Sequence, residues 1–311
     1  MSSIIGRDKE IKELVELYNS DKSEFVAVYG RRRVGKTFLI DEALKGKITF
    51  RHAGLSPVDE EGKKNSLKDQ LKHFYFSLQM QGMKKSKCPS SWMEAFFMLS
   101  QLLEARDTGK RQVVFLDELP WLDTPRSGFI TAFEGFWNTW GCHRDNLMLV
   151  VCGSANSWML DNLVNSHGGL YGRTTYEVKL SPFKLGECEQ FLKKKGIRMS
   201  RYDIVQSYMV LGGIPYYLGY MKKGLSLAQN IDLLFFEKDA KLRNEYDRLF
   251  ASVFSNPEQM KRIVGFLGTR RMGYTRQEIL SKVGLDDNGL SSKMLKALVA
   301  SDFIQPYVPF G

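Results

Sequence analysis

The run VAVYGRRRVGKTFLI, Val26 to Ile40, constrains the fold more than any other stretch of the chain. An apolar segment ends at Gly30. Gly35, Lys36 and Thr37 follow at the spacing G-x-x-x-x-G-K-T, and then apolar residues resume. Such a loop works through its main chain. Backbone N–H groups between a strand and a helix point at phosphate oxygens, and the positive N-terminus of the helix reinforces them. Glycine permits the close approach and the dihedrals this requires. Lys36 is placed to reach the β- and γ-phosphates and Thr37 to offer a hydroxyl to Mg2+. Gly30, Arg31, Gly35, Lys36, Thr37 and Phe38 are therefore the expected nucleotide contacts. Main-chain groups make the cradle, so the side chains of Arg31, Arg32 and Arg33 point away from its interior. That leaves them solvated, paired with acids of a neighbouring lid, or turned toward nucleic acid.

A phosphate loop needs an acid on a neighbouring strand, and VVFLDE (Val113 to Glu118) provides one. Asp117 is expected to hold Mg2+ through water, because magnesium keeps much of its hydration shell. Glu118 is expected to act as general base on the attacking water. The plainer alternative is a strand end with two solvated acids. Glutamate directly after the aspartate points to hydrolysis and away from transfer to a small-molecule acceptor. A third apolar run, LMLVVCGS, ends at Ser154. Next to the acid strand, this hydroxyl would hydrogen-bond the γ-phosphate or the water; alternatively it caps the helix that starts at Asn156.

Strands are predicted at Phe25–Gly30, Lys47–Leu55, Val113–Leu119, Leu147–Ser154 and Thr174–Leu180, with helical periodicity between them. Short buried strands alternating with helices predict an α/β unit over residues 1–180, a mostly parallel sheet with helices on both faces. Residues 181–250 read as an all-helical segment broken by LGGIP. Residues 251–311 read as a winged helix-turn-helix: Thr275 and Glu278 form a capping box, a second helix runs from about Leu290 to Ala300, and DFIQPYVPFG starts a β-wing. The chain stops where the wing is expected to return, which suggests a further segment. Ser291, Ser292, Lys293 and Lys296 on the second helix, with Arg270, Arg271 and Arg276 nearby, are the candidate contacts to DNA.

Composition adds limits. With 43% hydrophobic and 26% charged residues, the 311-residue chain has the balance of a soluble globular protein. The net charge of +10 fits a polyanionic partner, or solubility plus a phosphate ligand. The four cysteines form no CxxC pair, which predicts reduced thiols, no zinc site and a cytoplasmic location. No secretory signal and no membrane-spanning apolar run is legible.

In order along the chain, GRRRVGKT, FLDE, CGS, LYGRTTYEVKLSPF and GGIP resemble the archaeal-type P-loop ATPases. These belong to the AAA+/STAND group and are related to origin-recognition ATPases. The resemblance covers nearly the whole chain. It implies a P-loop NTPase core, a helical lid and a winged helix, with ATP and Mg2+ as cofactors. By that likeness Ile5 and Gly6, within IIGR, lie at the adenine end. Gly213 and Pro215 match the GxP motif of the lid, and Ser154 takes the sensor-1 position. Arg173 acts as an arginine finger, in its own site or that of a neighbouring subunit. Each has a plainer alternative: GGIP as a simple helix break, Arg173 as the partner of a surface acid. Many relatives continue into a nuclease-like domain, and no nuclease site is legible here. The expected function is hydrolysis of ATP to ADP and phosphate, driving a switch coupled to DNA or a partner protein. The alternative is a DNA-binding or STAND-type regulatory or defence module, assembling with copies of itself, that binds ATP and hydrolyses little.

Overall fold

The computed structural model describes residues 4–58, 62–154, 156–164, 168–254 and 256–308. The chain groups into two compact units. One comprises Met1–Gly30, Gly35–Gly153 and Trp158–Ser181, and the other Arg31–Val34, Ser154–Ser157 and Pro182–Gly311.

The first unit is built on β1 (Glu24–Tyr29), β2 (Ile48–Ala53), β3 (Gln112–Asp117), β4 (Leu147–Gly153) and β5 (Tyr176–Lys179). Every pairing is parallel, and the order across the sheet is β2-β3-β4-β1-β5. β1 and β4 are buried along almost their whole length, as expected for strands covered on both faces. Side chains alternate between those faces. Phe25, Ala27, Val114, Leu116, Leu149 and Val151 enter one cluster with the helices Leu67–Met80, Trp92–Ala105 and Phe129–Thr139. Their neighbours Val26, Val28, Phe115, Val150 and Cys152 are equally buried. That cluster is aromatic at its centre: Phe96 contacts the rings of Phe74, Trp92, Phe129, Phe133 and Phe136. Full burial of each large apolar side chain contributes about 1.5–3 kcal/mol.

β4 lies between β1 and β3, with Tyr29 level with Gly153 and Leu116 level with Val151. The carboxyl ends of these three strands therefore lie along one edge of the sheet, where open parallel sheets receive ligands.

The second unit is helical. Its principal helices are Leu185–Lys194, Arg201–Leu211, Glu245–Val253, Pro257–Leu267, Arg276–Val283 and Gly289–Ala300. The predicted capping box is formed: the Thr275 N–H donates to Glu278 Oε2 at 2.7 Å, and the Glu278 N–H donates to Thr275 Oγ1 at 3.3 Å. Phe250, Phe254, Met260, Ile263, Met294 and Leu298 share a core. The strand expected in DFIQPYVPFG is not formed among the described residues: 302–308 are turn and unpaired chain, and 309–311 lie outside the described residues. Two causes are visible. The Phe303 ring is committed to the helical core, 4.7 Å from Phe250 and 5.5 Å from Phe254. Pro306 has no N–H to give a ladder.

Candidate nucleotide site

The loop between β1 and the helix Lys36–Ala43 has the backbone that its sequence predicts. Gly30 sits at φ 149°, and a Cβ there would come within 2.3 Å of the Leu180 carbonyl oxygen, so only glycine fits. That approach is fixed by the Leu180 N–H, which donates to the Tyr29 carbonyl at 2.7 Å. Gly35 sits at φ 94° in open space, so its requirement is conformational. The helix that begins at Lys36 has no side-chain cap. A helix N-terminus without a side-chain cap favours an anion. Lys36 is buried, and its Nζ donates to the Gly30 carbonyl at 3.0 Å.

The acid strand meets this loop. Thr37 Oγ1 donates to Asp117 Oδ2 at 2.7 Å, joining residues 80 apart in sequence. The other carboxylate oxygen, Oδ1, accepts the Glu118 N–H at 2.9 Å. Burial pushes the pKa of the Cys152 thiol on β4 well up, with nearby Asp117 adding to the effect. The thiol stays protonated. Glu118 turns the chain at φ 46°, a left-handed value for a non-glycine residue, and is half-buried. The Trp121 N–H donates to the Glu118 carbonyl at 2.9 Å. Fully buried Gln70 holds this turn: its Nε2 donates to the carbonyls of Leu55 and Trp121, both at 2.9 Å.

A hydroxyl and a carboxylate are hard oxygen donors. Among the described residues no group of three or more His, Cys, Asp or Glu gathers as a metal cage. Mg2+ needs none, because it binds through one or two protein oxygens, waters and substrate phosphates. Thr37 and Asp117 fit it.

The remaining predicted residues fall as follows. Ile5 and Gly6 are half-buried just ahead of the helix Asp8–Tyr18. Next to them Arg7, the last residue of IIGR, is buried and donates from Nη2 to the Ser181 carbonyl at 2.6 Å. Phe38 is exposed on the first turn of its helix. Arg173 is exposed on a turn closed by its N–H to the Leu170 carbonyl at 3.1 Å. That turn is fastened to the helix Phe129–Thr139: the Gly169 N–H donates to Glu134 Oε1 and Asn138 Nδ2 donates to the Gly169 carbonyl, both at 3.0 Å. Ser154 is buried, directly after the last residue of β4. In the helical unit Gly213 packs against the Phe183 backbone, whose N–H donates to the Gly213 carbonyl at 2.8 Å. Pro215 then opens the short helix Pro215–Leu218.

The loop arginines group with the helical unit. Arg33 Nη1 lies 2.5 Å from Glu245 Oε2, and its guanidinium stands 4.4 Å over the Tyr216 ring. The Tyr217 hydroxyl donates to the other Glu245 oxygen at 2.7 Å. Arg31 stands 4.7 Å over the Phe303 ring. Burial pulls the Arg31 pKa down, and Tyr217, Asp302 and Glu245 oppose the shift. Of the three fates open to these arginines, pairing with an acid is the one found at Arg33. Tyr216 and Tyr217 follow the GGIP motif directly, a usable signal; nothing in the sequence marks Glu245.

The C-terminal helices alter the DNA-contact list. Ser291 is buried and its Oγ donates to the Asp286 carbonyl at 2.5 Å, so it cannot reach a base edge. Arg276 is engaged by Asp287 at 2.5 Å and by Ser292 Oγ at 2.9 Å. Lys293 and Lys296 are exposed.

Residues 4–221 match the family model of an ATPase domain found predominantly in Archaea. The chain is 29% identical over 309 residues to the uncharacterized protein MJECL04 of Methanocaldococcus jannaschii, covering 98% of this chain and 62% of that protein. It thus spans less than two thirds of that relative's length. Over 43 residues it is 42% identical to the uncharacterized ATP-binding protein MJ0423 of the same organism, covering 14% of this chain and 73% of that one. In fold it is similar to the Walker-type ATPase PABY2304 of Pyrococcus abyssi, with a TM-score of 0.61 at 20% identity, covering 96% of this chain and 90% of the other. It is also similar to the Aeropyrum pernix ORC2 protein, with a TM-score of 0.59 at 13% identity, covering 97% and 89%. With the phosphate loop, its acid strand and this match over most of its length, the chain belongs to the family of ATPase domains predominantly from Archaea.

Proposed function

We propose that this protein binds ATP with Mg2+ and hydrolyses it to ADP and phosphate, and that the nucleotide state sets a conformational switch. The observation that supports the reading is the 2.7 Å bond from Thr37 Oγ1 to Asp117 Oδ2, which joins the phosphate loop to the acid strand. Gly30, Arg31, Gly35 and the start of the helix Lys36–Ala43 hold phosphate through their main chain, and Phe38 lies on that first turn. Lys36 neutralises the phosphates. Thr37 and Asp117 would hold Mg2+, which when bound would supply charge neutralisation for the phosphates. Glu118 accepts the proton of the attacking water. Ser154 orients that water or the γ-phosphate, and Arg173 balances charge developing on the transferred group. Ile5 and Gly6 border the base. The protein acts in the cytoplasm; among its described residues no helix is long and apolar enough to cross a membrane.

The test is multiple-turnover phosphate release by the wild type and by Glu118→Gln. A loss of about 10²–10⁴ in rate is expected, with nucleotide still bound. Equal rates in the two proteins would refute the general base.

A second reading is a regulator that binds ATP with little hydrolysis and docks on DNA, a partner protein or copies of itself. The exposed Lys293 and Lys296 and the net charge of +10 favour a polyanionic partner for it. A steep fall of DNA affinity with salt is its signature.

A further inference from the structure

Arg33 is the one residue among the four x positions of the phosphate loop that takes a left-handed backbone, at φ 72°. That conformation suits glycine; an L-residue with a side chain pays for it in steric strain. Something must hold an arginine there, and its own side chain is held on three sides. Glu245 Oε2 lies 2.5 Å from Nη1, with both side chains largely shielded at 21% and 10% exposure. Tyr216 packs 4.4 Å beneath the guanidinium, and Tyr217 lies 5.7 Å away. The Glu245 carboxylate is itself aimed, because the Tyr217 hydroxyl donates to its other oxygen at 2.7 Å. Shielded pairs escape much of the solvent screening that weakens surface ion pairs.

We propose that Glu245, with Tyr216 and Tyr217, is a positioning device for the phosphate cradle: it anchors the Arg33 side chain and so keeps the loop backbone in its left-handed, phosphate-ready form. This rests on the nucleotide reading of the loop. Glu245 lies on the helix Glu245–Val253, which also contributes Phe250 to the C-terminal core. Arg31, two residues earlier in the loop, is seated on Phe303 of the same core. Arg31 and Arg33 are therefore tied to residues more than two hundred positions downstream.

The experiment uses the full chain and a fluorescent ADP derivative as probe, with binding read at equilibrium and folding checked by thermal melting. Glu245→Gln is expected to weaken the probe by about fivefold to thirtyfold, the range into which the left-handed penalty converts. Arg33→Gly in the Glu245→Gln background is expected to restore binding, because glycine adopts positive φ without an anchor. Arg33→Ala, which lacks the guanidinium and keeps the strain, is expected to bind more weakly than Arg33→Gly by a similar factor. Binding that is unchanged in Glu245→Gln, not rescued by Arg33→Gly, or equal in Arg33→Ala and Arg33→Gly would overturn the anchor while leaving the nucleotide reading intact. If the wild-type protein fails to bind the probe, the nucleotide reading falls and the anchor with it.

Discussion

Thr37 donates its hydroxyl proton to Asp117 across 2.7 Å, and this bond joins the phosphate loop to the acid strand. Both residues stand at the C-terminal edge of a parallel sheet, Thr37 in the helix after β1 and Asp117 at the end of β3. In the proposed site these two side chains would hold Mg2+. Replacing Asp117 with Asn removes the charge that draws the metal, and replacing Thr37 with Ala removes the hydroxyl. Each change is expected to raise the Mg2+ concentration needed for half-maximal turnover by roughly 10–100-fold, the usual range for groups supporting a metal. A magnesium titration of phosphate release measures it, and an unaltered midpoint in both variants would remove the pair from the metal site.

Arg173 presents an exposed guanidinium from a turn pinned to Glu134 and Asn138. As the proposed arginine finger it would contribute about 10³–10⁵ in rate. Arg173→Ala is therefore expected to lose nearly all turnover and to keep its ATP affinity. Mixing it with a Lys36→Ala variant distinguishes an arginine serving its own site from one serving a neighbour, since only the second arrangement recovers activity. Normal turnover by Arg173→Ala would end the assignment.

His52 makes stability depend on pH. It is buried on β2 with Nδ1 2.8 Å from Ser77 Oγ. Burial, with nearby His73 adding to it, lowers its pKa from 6.5 to about 3. The folded state holds the neutral ring, so below pH 6.5 the unfolded chain binds the extra proton. The stabilisation is complete above pH 6.5 and is lost as pH falls toward 3, at about 1.4 kcal/mol per pH unit. Urea unfolding between pH 7 and pH 4 should show a shallower loss in His52→Gln than in the wild type. Parallel slopes would contradict the buried neutral histidine.

The strands were legible because burial on both faces leaves almost unbroken apolar runs: FVAVY, VVFL and LMLVV all lie where their pattern predicts. The phosphate loop was legible because its geometry needs glycine at fixed spacing, and the Leu180 carbonyl against Gly30 shows why. The wing was not. A strand needs a partner as well as a suitable composition, and Phe303 found its energy in the helical core instead. Nor could Glu245 be found from the sequence, because a lone glutamate on a helix looks the same whether it meets solvent or Arg33. Ser291 misled for a related reason: its place on the helix was right, but its hydroxyl is turned inward to a backbone carbonyl.

The central claim is that the loop from Gly30 to Thr37 and the acid at Asp117 grip a nucleoside triphosphate with its metal. Calorimetric titration of a non-hydrolysable ATP analogue with Mg2+ into the wild type and Lys36→Ala tests it most directly. The account predicts saturable heat at one site per chain in the wild type and a strongly weakened response in Lys36→Ala. A well-folded wild-type protein that gives no heat, or two titrations that superimpose, would contradict it.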